Sequence, residues 1–386
     1  MTLPPTPPLA SRLPQVGTTI FSVMSALATR SGAVNLGQGF PDFDCDPQLV
    51  ARVDEAMRGG HNQYPPMPGI AALREAVAAK TAACSGTRYD PEREVTITAG
   101  ATQALLTALL AVVHPGDEVI VLEPCYDSYA PGIALAGGRV ERVPLTAGSF
   151  RPDFDAIAAA LGPRTRAIMV NTPHNPTGTV WTRAEWQRLA DLLAPTGVLV
   201  ISDEVYEHMV FDGGVHGGAA AIPALAARSF VVSSFGKTFH VTGWKVGSVC
   251  APAPLTAEFR KVHQFNVFTV NTPMQHALAA YLADPAPWQG LAAFYQRKRD
   301  LFRAGLAGTR LRLLPCEGTY FQSVDYRAVS DLGEAAFCEW LTTEVGVAAI
   351  PISAFYEDGR DQGLARLCFA KRDPTLALAL ERLARL

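Results

Sequence analysis

Between Glu94 and Cys250 the chain alternates short apolar runs, rich in β-branched residues, with stretches of helical periodicity. The predicted strands are Glu94–Thr98, Glu118–Leu122, Gly138–Leu145, Arg166–Asn171, Val198–Asp203, Phe230–Ser234 and Lys245–Cys250. The helices predicted between several of them are Thr102–Val113, Phe154–Leu161 and Arg183–Leu193. This alternation predicts an α/β fold with a mostly parallel seven-stranded sheet and helices on both faces. Because ligands of such sheets bind beyond the carboxyl ends of the strands, the residues after each strand are the candidates for a site.

The pattern changes near Asp284, which predicts a second, smaller α+β domain. We expect an amphipathic helix at Trp288–Leu306, short strands around Gly318–Val324 and Ala365–Phe369, and a last helix from Thr375 onward. A chain of 386 residues is also long enough for about two domains. The predicted division is an N-terminal arm with part of the small domain (1–45), a large domain that contains the predicted sheet (46–283) and a small C-terminal domain (284–386).

Charge and composition exclude several classes of protein. The net charge is −3 with no block of like charge, so we expect neither nucleic acid nor an anionic membrane as a partner. The most apolar stretch, Ala104 to Val113, is about half the ~20 residues that span a bilayer. The first residues lack the apolar core of a signal peptide, and the seven cysteines form no CxxC pair. These features predict a cytoplasmic protein with reduced thiols and no metal site.

Lys237 directly follows the predicted strand Phe230–Ser234, so we expect it near the floor of the cleft. Lysine forms imines with carbonyl cofactors, and partial burial lowers its pKa enough to make the amine nucleophilic. The commoner alternative is an exposed loop lysine. The Gly-Lys-Thr triplet around Lys237 also occurs in nucleotide phosphate loops, but that motif requires a glycine where this chain has Val231.

Asp203 ends the apolar run that begins at Gly197, and a buried carboxylate must be paired or functional. Such a carboxylate can keep the nitrogen of a pyridine cofactor protonated, which makes the ring an electron sink. The alternative is a helix N-cap. Tyr206 lies three residues later, and Asn175 follows another predicted strand within a turn-forming Asn-Pro-Thr-Gly sequence. Both could contact a ring oxygen, although packing and turn formation explain them equally well.

The segment Gly100-Ala-Thr-Gln103 is a candidate anion site because it joins a strand to a helix. Free backbone N–H groups at a helix N-terminus bind anions, and the Thr102 hydroxyl adds a donor. An ordinary strand–helix turn is the alternative. Ser234 and Lys245 flank the Lys237 segment and could complete a phosphate cup, while Tyr126 could stack on an aromatic ring. Together, five strand ends supply the groups that one phosphorylated pyridine aldehyde needs.

Several motifs resemble those of the class I aminotransferases with the aspartate-aminotransferase fold. They are Asn175-Pro-Thr-Gly178, Asp203-Glu-Val-Tyr206, Ser233-Ser-Phe-Gly-Lys-Thr238 and Thr242-Gly-Trp-Lys-Val-Gly247. The segments Asn35–Phe43, Asn62–Gly69 and Arg366–Ala370 also fit, so the resemblance covers the chain nearly end to end. Four further motifs most resemble those of the bacterial methionine aminotransferase branch, which is close to kynurenine and glutamine transaminases. These motifs are GTTIF, NTPHNP, SDEVYEH and CEGTYF.

The resemblance implies a fold-type I enzyme that uses pyridoxal 5'-phosphate, with roles carried onto matching positions. Lys237 would be the imine lysine and proton shuttle, with Asp203 on the pyridine nitrogen and Asn175 and Tyr206 on the ring oxygen. Tyr126 would stack on the ring, and the phosphate would be held by Ala101, Thr102, Ser234, Lys245 and a partner subunit's copy of Tyr64. Arg366 would grip the substrate carboxylate, with help from the Gly39 backbone. Lys245 departs from the arginine of many family members and so lacks the planar fork.

The resemblance also implies the reaction and the assembly. An amino group would pass between an amino acid and a 2-oxo acid, in a homodimer with shared active sites. Phe21, Phe40 and Tyr64 favour an apolar or aromatic substrate, with methionine first and phenylalanine, glutamine or kynurenine as alternatives. Two other readings stay open: a β-lyase that acts on cysteine conjugates with the same cofactor, and a non-catalytic ligand- or partner-binding protein of the same fold.

Overall fold

The computed structural model describes residues 8–386, so the start of the predicted arm, 1–7, lies outside the described residues. Within the described part the helices are α1 (Ile20–Ser31), α2 (Pro47–Arg58), α3 (Ala71–Ser85), α4 (Gly100–Val112), α5 (Tyr129–Leu135), α6 (Phe154–Ala160), α7 (Arg183–Leu193), α8 (Pro223–Ala226), α9 (Phe235–Thr238), α10 (Ala253–Asn266), α11 (Thr272–Tyr281), α12 (Ala286–Gln289), α13 (Leu291–Leu306), α14 (Glu334–Trp340) and α15 (Asp373–Leu383).

The strands of the same residues are β1 (Val34–Asn35), β2 (Val95–Thr98), β3 (Glu118–Glu123), β4 (Arg139–Pro144), β5 (Thr165–Asn171), β6 (Leu199–Asp203), β7 (Ser229–Ser234), β8 (Gly247–Cys250), β9 (Arg312–Leu313), β10 (Phe321–Asp325), β11 (Val347–Ala348), β12 (Ile350–Pro351) and β13 (Leu364–Cys368). Single helical turns of other types lie at Ala219–Ala221, Thr242–Trp244, Leu341–Val345 and Ile352–Phe355. None of the helices in residues 8–386 is long and apolar enough to cross a membrane.

The central sheet has the strand order β2-β8-β7-β6-β5-β3-β4. β8 pairs antiparallel with β2 and β7, and the other neighbouring pairs are parallel. Alternate residues of each strand face opposite sides, so that Ile168 and Val170 join the core under α3 and α7, whereas Ala167 and Met169 join the core under α4 and α10. The predicted α/β class and the mostly parallel seven-stranded sheet are therefore confirmed.

Three predicted element boundaries differ from the structure for local backbone reasons. The helix predicted from Trp288 is interrupted at Gly290, which separates α12 from α13. The strand predicted from Lys245 begins only at Gly247, because Lys245 has a φ of 54°, outside the range of strands. The strand predicted from Gly318 begins at Phe321, because Thr319 has a φ of 68°.

A separate hydrophobic core joins the two ends of the described chain. Met24 of α1 and Leu36 pack in one cluster with Phe302 of α13 and Phe369. The pairing of β1 with β11 is parallel, and β12, β13, β10 and β9 form an antiparallel sheet. The backbone N–H of Cys368 also donates to the Leu36 carbonyl at 2.7 Å. The segment that follows β1 is thus attached to β13, across the cleft from the central sheet.

Candidate active site

A cavity of about 330 Å³ opens at the carboxyl ends of the parallel strands. Asn171 from β5, Asp203 from β6 and Ser234 from β7 all line it, as expected for groups that end neighbouring parallel strands. The predicted site residues that line this cavity are Phe21, Gly39, Ala101, Thr102, Tyr126, Asn175, Asp203, Tyr206, Ser234, Lys237, Lys245 and Arg366.

Lys237 lies in α9, the short helical turn that follows β7. Its Nζ donates to the Gly39 carbonyl at 3.2 Å and to the Tyr320 hydroxyl at 3.0 Å. Burial lowers the pKa of this amine to about 8, and the positive charge of Arg366 acts in the same direction. Roughly a tenth of the molecules therefore carry a neutral, nucleophilic amine at pH 7.

The Asp203 carboxylate is buried at the end of β6 and is held by two donors. The Tyr129 hydroxyl donates to its Oδ2 at 2.6 Å, and the backbone N–H of Val205 donates to its Oδ1 at 3.4 Å. Burial raises the pKa of Asp203 to about 6, while the Tyr129 hydrogen bond opposes that shift. The carboxylate is thus mostly ionised at neutral pH and can pair with a protonated ring nitrogen.

The start of α4 forms a candidate anion site with the segments after β7 and before β8. Gly100 has a φ of 80°, and a Cβ placed there would lie 3.3 Å from the Lys245 Nζ. The ammonium group of Lys245 therefore lies beside the free N–H groups of a 13-residue helix. The hydroxyls of Thr102 and Ser234 line the same part of the cavity. Backbone donors, two hydroxyls and one ammonium group together suit a phosphate.

Arg366 projects from β13 and is fully buried, at 1% exposure. Its Nη1 donates to the Asn175 Oδ1 at 2.6 Å, its Nη2 donates to the Gly37 carbonyl at 2.9 Å, and its Nε has no partner within residues 8–386. Guanidinium carries five N–H donors, so three remain for a ligand. Burial lowers the pKa of Arg366 to about 10, which still leaves it charged at neutral pH.

An ion pair with an Asp or Glu elsewhere in the chain would be another role for Arg366, and the structure does not support it. Among the described residues, no Asp or Glu carboxylate lies within 4.0 Å of its guanidinium nitrogens. Aromatic rings surround it instead: its Cζ lies 3.9 Å from the ring centre of Phe321, 5.3 Å from that of Phe21 and 5.2 Å from that of Phe355. A buried guanidinium group that has free N–H donors and is surrounded by aromatic rings suits a ligand with both a carboxylate and an apolar side chain.

The loop Gly37–Phe40 crosses the cleft and is fixed by side chains from the C-terminal part of the chain. Arg366 holds the Gly37 carbonyl, the Tyr320 hydroxyl donates to the Gly39 carbonyl at 2.5 Å, and the Lys371 Nζ donates to the Phe40 carbonyl at 2.7 Å. A Cβ on Gly39 would lie only 2.9 Å from the Phe321 ring. Glycine is therefore required where the loop passes between Lys237 and Phe321.

Tyr64 is the predicted site residue that this chain does not bring into the cavity. Its side chain is 79% exposed, and its ring contacts Phe268 edge-on, with ring centres 5.2 Å apart. The predicted role was in the site of a partner subunit, so this geometry neither contradicts nor establishes it. The role of Tyr64 stays a prediction.

Sequence reasoning missed several residues that shape the site. Asn171 ends β5, donates to the Asp203 carbonyl at 2.9 Å and accepts from the Asn175 backbone N–H at 2.9 Å. Its position at a strand end was a signal that could have found it. Tyr129 lies three residues after Tyr126 and Tyr320 lies in the CEGTYF motif, but no local pattern indicates that their hydroxyls reach Asp203 and Lys237.

The chain is similar to known proteins over nearly its whole length. Residues 31–383 match the family described as aminotransferase class I and II. A methionine aminotransferase from Escherichia coli strain K12 is 53% identical over 377 residues, which cover 97% of this chain and 98% of that protein. A probable N-succinyldiaminopimelate aminotransferase from Mycobacterium tuberculosis is 44% identical over 386 residues, with 97% of each chain covered.

A solved structure gives the same result for the fold. The structure of YbdL from Escherichia coli, reported with a methionine aminotransferase function, matches with a TM-score of 0.97 at 53% identity and covers 99% of this chain and 100% of that one. The resemblance inferred from the motifs is confirmed, and aminotransferases of this kind use pyridoxal phosphate. The chain therefore belongs to the class I and II aminotransferases and is a pyridoxal-phosphate-dependent transaminase.

Proposed function

We propose that this aminotransferase takes the amino group of methionine, and of other apolar or aromatic L-amino acids, and passes it to a 2-oxo acid. The observation that carries the proposal is Arg366, a buried guanidinium with free donors, set among aromatic rings beside the amine of Lys237. Among the described residues that line the cavity, Arg366 is the single arginine. A second carboxylate on the substrate therefore has no second guanidinium group to bind it. The identity with a methionine aminotransferase supports the same choice.

The residues present fit the pyridine ring of the cofactor. Asp203 would pair with the ring nitrogen, Asn175 and Tyr206 would contact the ring oxygen, and Tyr126 would cover a ring face. When bound, pyridoxal phosphate provides an electron sink for the bond broken at the substrate α-carbon. Asp203 would serve this chemistry by holding a proton on the ring nitrogen, since its buried carboxylate favours a positively charged partner. The Tyr129 hydroxyl and the charge of Lys237 help to keep that carboxylate ionised.

The anion site at the start of α4 fits the cofactor phosphate. Ala101 and Thr102 would donate from the helix N-terminus, Ser234 would donate its hydroxyl, and Lys245 would supply the positive charge. An ammonium group acts as a point charge, so the orientation of the phosphate would be set by the backbone and hydroxyl donors. The phosphate would then anchor the cofactor away from Arg366, which is left to the substrate.

Lys237 would carry the cofactor aldehyde and, once released, would take and return the proton of the substrate α-carbon. Its lowered pKa supports both tasks, because each needs a neutral amine. Arg366 would bind the substrate α-carboxylate, with Asn175 and the Gly39 backbone beside it. Phe21 would contact the substrate side chain and exclude water from it.

The proposed assembly is a homodimer with shared sites. Tyr64 and Phe268 are large exposed aromatic residues that contact each other, and such a patch supports an interface. Each subunit would contribute its Tyr64 to the phosphate site of the other. We also propose a cytoplasmic location, which the seven free cysteines of the described residues support.

We further propose the division into the segments 1–45, 46–283 and 284–386. The two core clusters on the faces of the central sheet are distinct from the cluster that joins the chain ends, which supports a separate small domain. Arg366 and the loop Gly37–Phe40 belong to the small-domain side, and Lys237 belongs to the sheet side. Substrate binding between them would therefore favour closure of the cleft.

The test is a panel of amino acids and 2-oxo acids in which both keto-acid and ammonia release are measured. We expect methionine to be the best donor and the keto acid to appear without ammonia. Ammonia release from cysteine conjugates at a comparable rate would favour the β-lyase alternative, which begins from the same loss of the α-proton. A preference for a dicarboxylic donor would contradict the proposal.

A further inference from the structure

Tyr320 is a fully buried residue whose hydroxyl contacts the amine of Lys237. Its side chain is 0% exposed and precedes β10. The hydroxyl donates to the Gly39 carbonyl at 2.5 Å and accepts from the Lys237 Nζ at 3.0 Å, while the same Nζ donates to the Gly39 carbonyl at 3.2 Å. The Lys237 Nζ, the Tyr320 hydroxyl oxygen and the Gly39 carbonyl oxygen thus form a closed triangle. Both oxygens that accept from the amine therefore lie on the same side of the Nζ.

This triangle fixes the direction of the amine. A neutral primary amine has two N–H bonds and one lone pair, and here both hydrogen bonds of the Nζ lie on the side of two oxygens that are 2.5 Å apart. Within residues 8–386 the Nζ has no other hydrogen-bond partner, and Lys237 lines the cavity. Because N–H groups occupy that side of the nitrogen, the lone pair of the neutral amine points away from Tyr320 and Gly39.

We propose that Tyr320 is a positioning residue for Lys237: when the amine is not attached to the cofactor, the hydroxyl directs its lone pair toward the substrate. This inference rests on the proposed role of Lys237 as the group that takes the α-proton. Alignment of a base before proton transfer lowers the barrier because less reorganisation is needed.

Packing alone does not account for the hydroxyl. The Tyr320 ring is held by other rings, with ring centres 5.2 Å from Tyr206, 5.6 Å from Tyr295 and 4.8 Å from Phe321. Phenylalanine would fill this space equally well. Tyr295 supplies the comparison, because its ring is also buried but its hydroxyl has no partner among the described residues. The Tyr320 hydroxyl, unlike that of Tyr295, is bonded to a reacting group.

The first test measures the Lys237 amine itself, in the full-length protein freed of cofactor. The pH dependence of carbamylation by cyanate, followed at Lys237 by mass spectrometry, gives its pKa. An ammonium group donates more strongly to an oxygen than an amine does, so Tyr320→Phe should lower the pKa of Lys237 by about 0.5 to 1 unit. Carbamylation at pH 7 should then be about three- to fivefold faster.

Other groups influence the same amine and must be constant in this comparison. The pKa of Lys237 is also influenced by the charges of nearby groups, which are Asp203, Arg366, Lys245 and Cys368. In addition, the ring centres of Tyr206 and Tyr320 lie within 6 Å of its Nζ. Tyr295→Phe is the matched control, because it removes a buried hydroxyl from the same cluster without touching Lys237. Its carbamylation profile should equal that of the wild type.

The second test uses the cofactor-loaded enzyme and methionine deuterated at the α-carbon. In Tyr320→Phe the single-turnover rate should fall by about tenfold, and the deuterium isotope effect should exceed that of the wild type, because proton transfer becomes limiting. Lys237 would thus be more reactive toward cyanate yet slower in catalysis. A residue that only supports the fold would not change these two quantities in opposite directions.

The outcomes separate this inference from the proposed function. A wild-type carbamylation profile together with a wild-type isotope effect in Tyr320→Phe overturns the inference. Tyr320→Leu serves as a second variant without a hydroxyl, and it must lower the pKa of Lys237 as well. Borohydride reduction of the loaded wild type must label Lys237; labelling of another lysine overturns the proposed function itself.

Discussion

Arg366→Lys is the sharpest test of how the substrate is held. Lysine keeps a positive charge in the cavity but has neither the planar fork nor the length to replace both nitrogens. In the structure Nη1 and Nη2 are anchored on the Asn175 side chain and the Gly37 carbonyl, which leaves three N–H groups for the carboxylate. A lysine would donate one or two of its three N–H groups to the Asn175 side chain and the Gly37 carbonyl. Only the remaining one or two N–H groups could donate to the substrate carboxylate.

The size of the effect follows from this count of donors. A two-point contact with the carboxylate becomes a one-point contact, and one hydrogen bond to a charged group contributes about 1.5–3 kcal/mol. A loss of about 2 kcal/mol corresponds to a roughly 30-fold decrease in kcat/KM. Every amino acid has an α-carboxylate, so methionine and phenylalanine should be affected alike.

The assay compares kcat/KM for methionine and phenylalanine in the wild type and Arg366→Lys, with cofactor affinity measured by absorbance titration. Cofactor affinity should be unchanged, because the anion site at α4 is untouched. Arg327→Lys is the control, since Arg327 is exposed and pairs with Asp325 at the end of β10. If Arg366→Lys impairs methionine and spares phenylalanine, the residue contacts the substrate side chain and the reasoning is refuted.

Three further predictions concern the other parts of the site. Asp203→Asn should reduce kcat by about 100-fold or more, because the charge that holds the ring proton is gone, and near-normal turnover would exclude that role. Tyr129→Phe removes a donor from Asp203, whose pKa burial already raises to about 6, so the carboxylate should neutralise at higher pH. The pH below which cofactor binding weakens should therefore rise by about one unit, and an unshifted binding profile would disprove the contact. Tyr64→Phe should weaken cofactor binding in a protein that light scattering shows to be a dimer, whereas a fully active monomer would refute shared sites.

The strand ends were predictable from sequence for a physical reason. A buried parallel strand is a continuous apolar run, so the first polar residue after it is conspicuous and has a known position in the fold. Asp203 was found in this way, whereas Ser234 was found because it flanks the Lys237 segment. Lys237 was found because a lysine directly after such a run is expected at the cleft.

Contacts across the cleft were not predictable by the same reasoning. Periodicity identifies an element and its buried face, but it does not identify which distant loop will approach it. The hydrogen bonds from Lys237 to Gly39 and Tyr320 join residues from three separate parts of the chain. The left-handed backbone conformation of Lys245 was not predictable from sequence either. Non-glycine residues adopt this conformation only where contacts with the surrounding structure offset its strain.

The anchoring of the loop Gly37–Phe40 has a consequence for biosynthesis. The loop is translated long before Tyr320, Arg366 and Lys371, which hold its carbonyls and lie 281 to 331 residues further along the chain. The strands of the central sheet are all made once β8 has emerged from the ribosome, but the loop lacks its anchors until these later residues follow. A product terminated before Arg366 would retain Lys237 but would lack the residue that we propose to bind the substrate carboxylate. Prematurely terminated chains should therefore be catalytically silent.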